Sequence, residues 1–102
     1  MRITSNGRTL SVSGIEQLDA ANRNDFQTAL CAALPKGVTK IEIDLSQTGF
    51  VDCGGVGALV ALRNAARDLS DHVTIHLLNP TRAAQRIFKL TRMAEVFPIE
   101  CG

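Results

Sequence analysis

The sequence predicts a mixed α/β domain, with a sheet of four or five strands and helices packed mainly on one face. Three observations predict it. Ile41, Ile43 and Leu45 alternate with Lys40, Glu42 and Asp44, and Val73, Ile75 and Leu77 alternate in the same way; strand-period alternation means one buried and one wetter sheet face. The segments between the strands carry apolar residues at helical spacing. An Asn-Gly pair lies between alternating runs at the start of the chain, a strong hairpin signal.

Each element follows in order. Ile3, Leu10 and Val12 flank Ser5-Asn6-Gly7-Arg8, so the first thirteen or so residues read as two strands with a turn at Asn6-Gly7, closed by Gly14. Asn22 opens a helix, with Asp25 three residues on in a capping-box-like arrangement. Phe26, Ala29, Leu30, Ala33 and Leu34 form its apolar stripe, Cys31 falls beside it, and Pro35 and Gly37 stop it. The strand at residues 40–45 runs into a loop, and from Gly54 to about Leu69 the spacing is helical again, with Val56, Leu59, Val60, Leu62, Ala66 and Leu69 inward. After the strand around Ile75, Asn79-Pro80 reads as an N-cap followed by proline at the first helical position. In the helix from Pro80 to about Leu90, Ala83, Ala84, Ile87, Phe88 and Leu90 share one side, and Arg82, Arg86 and Lys89 the other. Met93, Val96, Phe97 and Ile99 make a last short helix or turn that packs back on the core. The order is β-β-α-β-α-β-α, then this final element.

The chain has 102 residues, of which 45% are hydrophobic, with no Trp, no Tyr and four Phe. Residues 1–102 suit one domain, with a core of Ile, Val, Leu and Ala. The net charge of +1 supplies no field to gather nucleic acid or a membrane surface. No apolar run approaches the roughly 20 residues of a spanning helix, and the start of the chain lacks a signal-peptide layout. A soluble cytoplasmic protein is expected, without membrane insertion. Cys31, Cys53 and Cys101 are an odd number without metal spacing. His72 and His76, four apart in a segment that alternates like a strand, lack a third ligand, so no metal site and no cofactor are implied.

Function concentrates in Lys40–Leu59. A strand leads through a loop to Asp52-Cys53-Gly54-Gly55-Val56-Gly57 at a helix start. Such a place turns backbone N–H groups and one small side chain outward, which suits an anion, a phosphate or a switch. The glycines permit close approach either by a partner or by a neighbouring strand.

Four segments resemble, in register, the STAS domain of the small bacterial kind, the anti-sigma factor antagonist family. They are Gly14–Asn22; Ile43–Ser46 with Phe50–Leu59; Leu78-Asn79-Pro80; and Ile87–Thr91 with Val96–Ile99. The resemblance implies a STAS-like fold and a protein that binds rather than catalyses. In this family the antagonist docks on an anti-sigma factor that is also a serine kinase. Phosphorylation of a Ser or Thr after the signature Asp then breaks the complex. By that match Asp52 is the signature acid, Cys53 holds the phosphoacceptor slot, Gly54 stands where a second Ser or Thr is common, and Asp19 matches an acid near the site. A thiol is not a normal kinase substrate, so Cys53 departs from the pattern at its central position. Arg92 replaces the usual Gly after the Leu-Thr pair, and a different path for the last loop is expected.

Cys53 has several readings: a small filler that needs no phosphorylation, a redox or acylation switch, a bystander to phosphorylation of Ser46 or Thr48, or a Cys-His hydrolase nucleophile, for which the motif context is missing. Arg82, Arg86 and Lys89 are either a solvated face or a docking stripe for an acidic partner, which Arg63 and Arg67 could extend. The expected function is protein–protein regulation through Asp19, Asp52, Cys53, Gly54, Gly55 and Gly57, with Arg82, Arg86 and Lys89 as a second contact. The partner is an anti-sigma factor or related serine kinase or ATPase. Two alternatives stand beside it: an accessory subunit of a larger complex such as an ABC-type lipid transporter, and a cysteine-based redox sensor. The sequence does not specify oligomeric state.

Overall fold

A computed structural model describes residues 1–34, 37–69 and 72–100; Pro35 and Cys101 lie outside the described residues. Strands β1 (Arg2–Asn6) and β2 (Thr9–Ser13) pair antiparallel, with Asn6 opposite Thr9. The two-residue loop is therefore Gly7-Arg8, one position later than the Asn-Gly signal suggested. Of these residues only Gly7 has positive φ, +63°; glycine at the first central position is the demand of a II′-type turn. In this register Ile3 lies opposite Val12 on the core face.

Next come β3 (Gln17–Leu18), α1 (Arg23–Ala33), β4 (Lys40–Asp44), β5 (Phe50–Val51), α2 (Cys53–Leu69), β6 (Thr74–Leu78), α3 (Arg82–Leu90), a 3₁₀ turn at Met93–Glu95 and β7 (Ile99–Glu100). The main sheet has the order β1-β2-β4-β6-β7, and every pair after the first is parallel. Three crossovers thus step in one direction. Right-handed crossovers stepping one way lay all their helices on one face. Burial agrees: Leu10, Val12, Ile41, Ile43 and Leu77 are fully or almost fully buried, whereas Ser11, Glu42 and His76 beside them are only half-buried. The open face carries the Lys40–Glu42 ion pair at 3.7 Å, and His76 Nδ1 stands 3.8 Å from Glu100 Oε2. A separate ribbon pairs β3 with β5 in parallel.

Several sequence expectations shift. Asn22 does precede α1, but its side chain caps no helical N–H; it is drawn into the preceding loop. The third helix starts at Arg82 with Thr81 as its cap, accepting from Ala84 N–H at 3.3 Å. Asn79 is left-handed, φ 52°, a geometry Asn tolerates and helix propagation does not. Leu90 is 76% exposed; two residues beyond buried Phe88, it points about 200° round the helix from the core. Ala83 is exposed for the same reason. His72 lies in a turn before β6 rather than on the strand. Arg92 adopts the left-handed geometry itself, φ 56° and ψ 38°, so the loop follows the path a glycine there would give. It leads Met93 and Phe97 back into the core. No helix among the described residues is long and apolar enough to cross a membrane.

Candidate functional site

Because β2, β4 and β6 run parallel, their outgoing loops gather at one end of the sheet, the end at which ligands commonly meet α/β sheets. There the segment 14–22, the segment 45–52 and the start of α3 are stitched together. Gly49 N–H donates to the Glu16 carbonyl at 2.9 Å, Asp52 N–H to the Leu18 carbonyl at 3.2 Å, and Thr48 Oγ1 to the Ile15 carbonyl at 2.6 Å. From the other side, Thr81 Oγ1 donates to the Thr48 carbonyl at 2.5 Å.

Asp52 caps α2. Its Oδ1 accepts Gly55 N–H at 3.0 Å, and its Oδ2 accepts Ala20 N–H at 3.4 Å. One carboxylate thus satisfies an orphan donor of the helix and tethers the neighbouring loop. Asp19 holds that loop from within: its Oδ1 accepts the N–H groups of Ala21 and Asn22, each at 3.0 Å. Asn22 returns the bond, Oδ1 accepting Asp19 N–H at 2.9 Å and Nδ2 donating to the Gln17 carbonyl at 2.7 Å. These bonds are what Asn22 makes instead of a helix cap.

The glycines divide by environment. A Cβ at Gly55 would overlap the Leu18 carbonyl, and one at Gly54 would stand 2.6 Å from Ala20 Cα. Both let backbone meet backbone, and Gly55 is buried, so it supplies closeness and not surface. Gly57 is different: the atoms nearest a Cβ there would be those of the Arg23 guanidinium, at 3.7–3.8 Å. Gly57 lies four residues after Cys53, hence one turn below it on the same helix face. The Arg23 guanidinium therefore lies on the face that Cys53 heads.

Cys53 is exposed and free, as is Cys31 on α1. Thr48 is 0% exposed with its hydroxyl committed, so it cannot meet a kinase; Ser46 is exposed. Two surface residues escaped the sequence reading. Phe50 is 53% exposed immediately before Val51-Asp52, and Arg23 lies over Gly57. Nothing periodic in the sequence flags the first; a glycine at the fourth position after Cys53 could have flagged the second.

The structure thus gathers Asp52, Cys53, Gly54, Gly55 and Gly57 in one turn, with Asp19 in the neighbouring loop that Asp52 tethers through Ala20. It places Arg82, Arg86 and Lys89 elsewhere, all exposed along α3, which packs beside β5. Arg63 and Arg67 lie on α2, not on α3. Among the described residues no three His, Cys, Asp or Glu side chains gather to hold a metal.

A family model described as Mlab, STAS domain, matches residues 1–99. No curated protein matches the chain by sequence. Among solved structures, a Thermotoga maritima protein assigned as an anti-sigma factor antagonist aligns with TM-score 0.86 and 19% identity, over 99% of this chain and 86% of its own. A STAS domain protein from Planctomyces limnophilus aligns with TM-score 0.82 and 17% identity, over 98% and 87%. The antagonist SpoIIAA in its unphosphorylated form aligns with TM-score 0.79 and 18% identity, over 96% and 85%. At these identities the likeness is one of fold.

Proposed function

The chain belongs to the STAS domain family, and we propose that it is a regulatory binding module that docks on an anti-sigma factor with serine kinase activity, or on a related ATPase, and performs no catalysis itself. The observation that carries this reading is exposed Cys53 at the head of α2, on a turn whose flanking backbone is bonded or packed on both sides. A surface held this way can be bound with little rearrangement. Phe50 beside it offers an apolar anchor of the type that dominates interface energies, and Asp19 and Arg23 add charge of each sign.

The same residues explain the switch and its loss. A phosphate brings nearly two negative charges to a turn already holding Asp52 and Asp19, which suits release of a partner. Cys53 offers no hydroxyl to carry it. We therefore expect a complex that ATP does not dissolve. The test is titration of the protein with the anti-sigma factor kinase of its own cell, followed by ATP and intact-mass measurement. Binding without modification is expected, together with a gain of about 80 Da on Cys53→Ser. A stable phosphoryl adduct on Cys53, or binding indifferent to substitution of Phe50 and Cys53 by Glu, would overturn the reading.

Cys53 also favours a second reading, a permanent subunit of a larger complex such as an ABC-type lipid transporter, where release by phosphorylation is not needed. Purification with an ATPase subunit rather than a kinase selects it.

A further inference from the structure

The edge of the sheet at β7 carries a groove of about 620 Å³ lined by Arg82, Gln85, Arg86, Phe88, Lys89, Ala94 and Ile99. Arg82, Gln85, Arg86 and Lys89 fall at i, i+3, i+4 and i+7, a single stripe of α3. Its floor is apolar: Phe88, Ala94 and Ile99. None of the three cations has an ion-pair partner among the described residues, where the pairs are Lys40–Glu42 and His76–Glu100.

The strand beneath is the last in the order, so among the described residues no strand pairs with its outer side. Leu77 N–H donates to the Pro98 carbonyl at 2.9 Å, and Asn79 N–H to the Glu100 carbonyl at 2.7 Å. Backbone groups alternate in direction along a strand, so with the neighbours of Ile99 turned toward β6 its own N–H and C=O face outward, into the open edge. An outward-facing donor and acceptor, an apolar floor and a row of cations without ion pairs among the described residues lie side by side.

We propose that this edge binds an acidic extended segment of a partner protein, which adds as a strand to β7 and sets acidic residues at alternate positions against α3. The spacings fit. Arg82 and Arg86 are four residues apart, about 6 Å along the helix, and alternate residues of a strand are about 6.6 Å apart. Main-chain bonds to Ile99 supply the addition, and the cations select against neutral or basic strands. This edge is a different surface from the Asp52–Gly57 turn, and the proposal does not depend on what binds there.

The test uses a fluorescein-labelled octapeptide alternating Glu and Val, read by anisotropy and by amide chemical shifts of the whole protein. Expected are shifts at Ile99, Glu100 and α3 with none at Asp52–Gly57. The Arg86→Glu, Lys89→Glu double variant should weaken affinity about tenfold or more, and raised salt should weaken it several-fold. The gentler Arg86→Gln, Lys89→Gln variant should fall between. A peptide with Lys for Glu, and one N-methylated at alternate amides, should each lose most of the binding. Equal affinity for the charge-reversed protein or the methylated peptide overturns the proposal, as do shifts confined to the turn and absence of binding at millimolar peptide.

Discussion

The turn at the head of α2 and the stripe on α3 are both surfaces, but they are held in opposite ways. At the turn, Asp52, Asp19 and Asn22 bond the loops to one another, and Gly54 and Gly55 remove the side chains that would keep backbones apart. On α3, Arg82, Arg86 and Lys89 are exposed and without ion pairs among the described residues. The first surface has its shape fixed by the fold; the second has only charge and reach. Substitutions at the turn should therefore reach stability before they reach binding, and substitutions on the stripe should do the reverse.

Gly55→Ala tests the first half most severely. Its methyl group would overlap the Leu18 carbonyl, a backbone atom that cannot swing aside. The expected loss is about 3 kcal/mol or more, at the upper end of overpacking costs, read as a large fall in the urea midpoint. A loss below about 1 kcal/mol would mean the loop at residues 17–22 yields easily, and the turn would no longer count as rigid.

Thr48→Val comes next. The swap keeps the shape but leaves the Ile15 carbonyl without its 2.6 Å donor in a site with no solvent. The cost should be about 1–3 kcal/mol, measured by the same denaturation. Thr48 is also where sequence and structure part company. Its place in a polar loop suggested a reachable hydroxyl; in the fold that hydroxyl joins two loops 33 residues apart, and nothing local in the sequence encodes such a contact.

The legible features were those with a repeating pattern. Ile41-Ile43 and Ile75-Leu77 announced a sheet with one buried face, and the Asp52–Gly57 signature announced the strand-to-helix turn. Two-residue strands such as Gln17–Leu18 and Phe50–Val51 are too short for a period and form only because the loops above them are tied. The role of Gly55 was open to two readings because a glycine states that space is needed without stating what fills it. At Asn22, the local helix signal was outweighed by a loop that used both ends of its amide.

Arg92→Gly should stabilise. A left-handed arginine costs about 1–2 kcal/mol, and part of that returns as added freedom of the unfolded chain. A net gain near 1 kcal/mol would raise Tm by roughly 5 °C. The site is distant in role from the turn, so partner binding there should not change. No rise in Tm would show that φ 56° carries no penalty here, and that the loop into Met93 and Phe97 is held by their burial alone.

The smallest effect separates the two surfaces best, because its two readouts should move in opposite directions. Arg86 stands four residues after Arg82 and three before Lys89, so α3 carries two like-charge neighbours, each unfavourable by a few tenths of a kcal/mol. Arg82 adds a cation at the helix N-terminus, where the macrodipole disfavours it. Arg86→Glu turns both repulsions into attractions and should raise stability by about 0.5 kcal/mol, seen as a slight rise in the urea midpoint. The same substitution should weaken the acidic octapeptide. A stripe that only solvates the helix would gain stability and lose nothing. A helix that keeps its repulsions while an acidic segment loses its grip without them holds its cations for a partner outside the fold.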